Sequence, residues 1–590
     1  MFTDILAVIR EDWRIVFGLL FFIMLGQGLV SITLKKVSNY QQNPVEYFSL
    51  SLAGWVLPIF LLSLLWFLLR WASEPLFSRL VLPVGILLLV AILFRLRPMP
   101  GPGSKKIIFF LLLFLFLSVL LRLAFASRAL FPSYFDSAEH YHLIQNILQN
   151  GTALPVSSTS YYHPGFHIFT AFLVTVLKTD IPRTMLILGQ LVLAYLPISG
   201  FFLVRHVTGS NSAGIFAIVL AAFGWYMPAH AVNWGKYPAL MSLALLPFIS
   251  SLAYWLTRDW TEFAQPQKRI LCATLGFSIV TSILLHSRSL IVLAVVCLAW
   301  MIAAWQRRLS FITRSIIFMT VFAILLVDVF MIHRQAVLAP LLDPYLADGG
   351  WVTALVLLLS VFALRENSQF VFACLLSVCM LLGSLFIPIR IPGYGVLTLL
   401  DRPLVEMILY LPLTLLGGLG LAGVGKLWSR SSFSKFLRMD YIQILLMGPV
   451  ILHALVTYDW YPSNCCVLVG KNDIAALDWM KNHLPADARI GISITEMNVL
   501  VSDAPEGYSG GDAGIWIMPL MDNVTIPLLY SSDFGQQTIK DMLCQKRVRY
   551  IYVGELGQPF NSAGLQERTE WYEVLLSRGK VKVYEVVACG

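Results

Sequence analysis

About fourteen apolar runs, each close to the 17–25 residues needed to cross a bilayer as a helix, dominate the first 458 residues. They lie near 15–34, 50–69, 80–96, 107–126, 184–204, 213–229, 238–257, 270–285, 289–305, 315–332, 350–364, 369–387, 404–425 and 441–458. A water-soluble chain cannot hide that much hydrocarbon. Charged residues make up only 13% of the 590, about half the share in soluble domains, and mean hydropathy is +0.76. The sequence therefore predicts a polytopic α-helical membrane protein of 13–14 transmembrane helices. The stretch 165–177 is too short to span comfortably and is expected to be interfacial or re-entrant.

Composition changes at residue 459. Residues 459–590 hold 11 of the 42 Lys and Arg and 16 of the 33 Asp and Glu, for a net charge of −5. The remaining 31 basic and 17 acidic residues give the membrane part +14. The basic excess thus belongs to membrane loops, and nucleic acid is not an expected partner. Helical periodicity at 472–484, 535–546 and 565–577 alternates with strand-like runs at 488–494, 548–554 and 581–587. This predicts three regions: N-terminal transmembrane helices (1–104), a transmembrane module (105–458) with a loop at 127–183, and a soluble C-terminal α/β domain (459–590). Basic clusters at 95–106, 258–269, 307–314 and 426–438 fall on one side and the loop 127–183 on the other. The positive-inside rule makes the loop and the C-terminal domain extracytoplasmic and the chain multi-pass in the plasma membrane. Glu11, Asp12 and Arg14 before the first run argue against a cleaved signal peptide.

Cysteines do not suggest a framework. Cys272, Cys297, Cys374 and Cys379 lie in apolar runs; Cys465, Cys466, Cys544 and Cys589 lie in the C-terminal domain, where a disulfide is open but vicinal cysteines rarely pair.

Ionisable groups are costly in a membrane and mark candidate function. His140, His163, His167, His230 and His286 collect on the expected outer side, where they would line a substrate cavity, together with Lys236, Arg288, Arg390 and Arg402. In the loop, residues 136–149 have helical period and Gly151 is a stop signal, so Asp136, Glu139 and His140 share a face. Two readings are open. Asp136 and Glu139 form either a capping box that starts the helix or a carboxylate pair for proton transfer or cation binding.

Asp136 with Glu139, followed by His163-Pro164 where the chain re-enters the membrane, resembles the GT-C superfamily of integral-membrane glycosyltransferases. The segments 205–214 (RHVTGSNSAG) and 233–238 (NWGKYP), Arg402 ahead of 404–425, and the tail segments 473–490 and 512–527 are similar as well. The likeness extends over most of 105–590. It implies a GT-C-like fold and an enzyme that moves a sugar, with inversion, from a polyprenyl-phosphate donor to a glycan, lipid or protein acceptor. Asp136 and Glu139 would then be catalytic. Asp136, Glu139 and His163 are an alternative set for a divalent metal ion, Mg or Mn before Zn. Arg402, Arg288, Lys236 and Arg390 would hold the donor phosphate. A secondary transporter would show repeat symmetry between halves, and none is visible; a non-catalytic membrane scaffold is the other alternative.

Overall fold

The computed structural model describes residues 2–37, 44–95, 102–152, 162–347, 349–391, 395–430, 439–458, 460–498 and 506–589. Part of the expected loop 127–183 (153–161, including Tyr161) lies outside these, as does part of the basic cluster 426–438.

The chain is a helical bundle bearing one small α/β domain. Among the described residues ten helices are long and apolar enough to cross a membrane, fewer than the 13–14 expected. Two physical reasons account for the difference. One expected span, Asn211–Phe223, is apolar but only 13 residues long, and the runs 50–69 and 80–96 fall largely in one helix, Val56–Arg95. The runs 350–364 and 369–387 are joined in Gly350–Gly383, whose 34 residues would rise about 51 Å at 1.5 Å per residue if straight. That exceeds the ~30 Å hydrocarbon layer. The helix breaks instead at Asn367 (φ −156°, ψ 88°), where the Asn367 side chain accepts from Phe370 N–H. Helix Gly165–Leu177 is packed inside the bundle, nearly every residue buried.

Polar side chains fasten helix ends on both faces. On the face away from the α/β domain, Arg205 pairs with Glu46 and donates to Asn211 Oδ1 (2.6 Å), while His206 Nδ1 lies 3.2 Å from Glu46. The expected motif 205–214 therefore ties helix ends far from the loop of Asp136. On the domain-bearing face Arg183 pairs with Asp12 and donates to the carbonyls of Ala126 and Ala129. The N-terminal helix Phe2–Glu11 lies on this same face, where Tyr461 Oη donates to Asp4.

In the bundle β1 (Pro388–Ile391) and β2 (Gly395–Thr398) form an antiparallel hairpin. The C-terminal domain contains β3 (Arg489–Asn498), β4 (Glu506–Gly510), β5 (Val524–Leu529), β6 (Tyr550–Val553), β7 (Tyr572–Arg578) and β8 (Val581–Val586). Their order is β4-β3-β6-β8-β7, with β5 also paired to β3. β3 is parallel to β5 and β6, and the other pairings are antiparallel. Helices Lys471–His483 and Gln537–Gln545 match the expected periods. The expected helix at 565–577 is instead a short turn of helix, Ala563–Glu567, followed by β7. Gly579 at φ +57° turns β7 back onto β8, so the hairpin claims a segment whose local period reads as helix. Two disulfides join Cys544 to Cys589 and the neighbours Cys465 and Cys466, the second against the expectation for vicinal cysteines.

Candidate functional site

The domain and the bundle meet around helix Asp136–Asn150. Trp516, fully buried, sits edge-on to Phe131 (4.7 Å between centroids) and Tyr141 (5.7 Å). Ala138 belongs to the same apolar cluster as Ile490, Tyr552 and Val583 of the domain. Tyr134 N–H donates to Cys466 O (2.9 Å), and a Cβ placed on Gly510 would lie 3.3 Å from Phe135 Cβ. These contacts seat the domain directly over the start of the helix that carries Asp136.

That helix starts at Asp136 after Phe135, and no side chain caps it. The capping-box reading therefore fails. The Asp136 carboxylate turns instead to Lys236 Nζ at 2.5 Å. Lys236 precedes helix Tyr237–Arg258, in a turn made possible by Gly235 at φ +65°, which packs against Ser133 and Ser137. Burial alone would lower the Lys236 ammonium; the Asp136 charge outweighs it and holds the pKa above the ordinary lysine value, so Lys236 is a fixed cation.

A second ion pair stands close by. Arg288, between helices Gln265–Leu285 and Ser289–Gln306, reaches Asp401 at 2.7 Å. Burial would raise the Asp401 carboxyl, but Arg288, then Lys236 and His286, bring it below its usual value. Asp401 thus pairs with Arg288 rather than with its neighbour Arg402. Arg402 donates to Val337 O (2.9 Å) and lies 3.9 Å from Glu406, one helical turn on.

Imidazoles fill the space between. His163 and His286 face each other at 4.6 Å, Tyr162 packs on His163 at 4.0 Å, and His163 Nε2 and His286 Nδ1 are buried without a hydrogen-bond partner among the described residues. Burial, and then the neighbouring imidazole, lowers His163 far below the usual value; burial, partly offset by Asp401, lowers His286 to about 4. His140, lowered to about 3 by burial and then by His163, bonds through Nδ1 to His167 Nε2 (3.2 Å). These four rings are thus neutral acceptors or donors, not cations, near neutral pH.

Of the expected residues, Asp136, Lys236, Arg288, His140, His163, His167 and His286 converge. Glu139 and Arg390 are exposed, on helix Asp136–Asn150 and on β1. His230 belongs to a neighbouring cluster with Asn233 and Trp234. The expected metal set does not fit: Asp136 is committed to Lys236, and among the described residues Asp136, Glu139 and His163 do not share a point where one ion could be held. Tyr162, on His163, and Asp401, on Arg288, stand in the site as well. Asp401 carried a signal, an acid beside an arginine at a helix start, but its partner is 113 positions away and invisible to local pattern.

No curated protein matches the chain. Residues 48–390, which include the Asp136–Lys236 pair and Arg288 but not Asp401 or the C-terminal domain, match the model of a family of unknown function. With more than half of its length so matched, the protein belongs to that family, DUF6541.

Proposed function

We propose that this protein is a membrane glycosyltransferase, moving a sugar from a polyprenyl-phosphate donor to an acceptor on the domain-bearing face, which is extracytoplasmic. The carrying observation is the pairing of a carboxylate, Asp136, with a half-buried cation, Lys236, beside a second cation, Arg288. Inverting transfer asks for these two things: a base for the acceptor hydroxyl and positive charge for the departing phosphate.

In this reading the acceptor oxygen attacks the anomeric carbon as Asp136 takes its proton. The bond from that carbon to the phosphate oxygen breaks, and the electron pair stays on the polyprenyl phosphate. Lys236 and Arg288 bind that anion, Arg288 with its planar fork. Neutral His163 and His286 offer hydrogen bonds to sugar hydroxyls. The resemblance to GT-C enzymes points the same way.

Purified protein in detergent, given polyprenyl-phosphate sugars of several kinds with and without glycan or lipid acceptors, tests this. Release or transfer of sugar is expected. Accumulation of an intact solute in sealed proteoliposomes, without bond cleavage, would make the protein a transporter. Neither cleavage nor uptake with any donor would leave a scaffold.

A further inference from the structure

Beside the site, the turn Ala229–Val232 meets the segment 460–466 that leads into the C-terminal domain. Asn233 Oδ1 accepts from Ser463 N–H (2.9 Å), and Cys466 N–H donates back to Ser463 O (3.0 Å). This clamp brings His230, Cys465 and Cys466 together, with their ligand atoms within 4.8 Å of one another. Cys466 and His230 are buried and Cys465 is exposed, so the group has a closed side and an open one. Asn233 Nδ2 donates to His230 Nδ1 (3.2 Å) and so holds the ring beside the two cysteines. A cavity of about 410 Å³, lined by Tyr226, His230, His453, Tyr458 and Ser463 among others, adjoins the ring.

We propose that, when reduced, Cys465 and Cys466 with His230 form a binding site for one thiophilic d¹⁰ cation, Zn²⁺ or Cu⁺. Two sulfurs and one imidazole are a soft donor set that disfavours Mg²⁺ and Ca²⁺. Three protein ligands leave a fourth position for water or an incoming group. In the structure the two sulfurs are joined, so the site forms in two balanced steps. A dithiol reductant supplies two electrons and two protons, breaks the S–S bond and is itself oxidised to a disulfide. The cation then displaces the two thiol protons and gains two metal–sulfur bonds and one metal–nitrogen bond. The site does not depend on glycosyl transfer.

The full-length protein in detergent, reduced with a dithiol, freed of it without air, and titrated with Zn²⁺ against a chromophoric chelator, tests the inference. One zinc per chain is expected, and peptide mapping should show Cys465 and Cys466 shielded from alkylation by zinc in the unmutated protein. The C465S/C466S variant should lose the zinc and His230→Ala should weaken it at least tenfold, while His230→Cys retains it. Reduced wild-type protein that binds no more zinc than the double serine variant, or thiols alkylated equally with and without zinc, overturns the site. So does a disulfide that resists reduction in the folded protein.

Discussion

Lys236 and Asp136, one hundred residues apart, meet at 2.5 Å at the base of the C-terminal domain, each at the start of its own helix. The contact joins two loops that periodicity alone leaves unrelated.

If Lys236 binds the departing phosphate, its loss removes a charge-assisted contact worth about 1.5–3 kcal/mol. Lys236→Ala is expected to lower kcat/KM for the donor by about 10–100-fold. Steady-state kinetics in detergent measures this, and unchanged donor kinetics would free Lys236 of the role.

The buried imidazoles predict a pH dependence of stability. An unfolded histidine titrates near 6.5, whereas His286 is held at about 4 and His140 at about 3, chiefly by burial. Between those values the unfolded chain binds protons that the folded chain refuses. Stability conferred by the neutral rings is therefore complete above about pH 6.5 and declines as pH falls toward 4. Thermal midpoints of wild type and His140→Gln, compared from pH 4 to 7, should show the shallower decline in the variant. Parallel curves would refute the assignment.

Trp516 anchors the domain to Phe131 and Tyr141. Trp516→Ala removes a fully buried indole, at a cost of about 3–5 kcal/mol. Limited proteolysis should then release a fragment ending near residue 459, with activity lost alongside it. A variant as resistant as wild type would place the anchor elsewhere.

Orientation has its own test. Tyr508 is exposed on the C-terminal domain, while Lys426, paired to Glu366, lies at the other end of the bundle. Tyr508→Cys is expected to react with a membrane-impermeant maleimide in intact cells, and Lys426→Cys only after permeabilisation. The reverse pattern would invert the topology.

Hydropathy makes the membrane class, the α/β domain beyond 459 and the helix Asp136–Asn150 legible, because spans, composition shifts and amphipathic periods are local. Residues that would face one another across the bundle are less so. Asp136 and Lys236 were both expected at the site, yet their pairing needs the tertiary fold, and it displaced both the capping box and the metal set. Asp401 was hidden by its neighbour: sequence proximity suggests Arg402 as its partner, and packing gives it Arg288. The strand β7 misled for a related reason, since its helical period is overridden by the hairpin that Gly579 permits.

The central claim is that Asp136 takes the acceptor proton, and Asp136→Asn tests it most directly. The amide is nearly isosteric, still accepts a hydrogen bond from Lys236, and cannot serve as base. With polyprenyl-phosphate sugar and acceptor, transfer by the variant should fall by about 10²–10⁴-fold while its thermal midpoint stays near that of the wild type. Transfer at the wild-type rate by a folded Asp136→Asn protein would contradict the account.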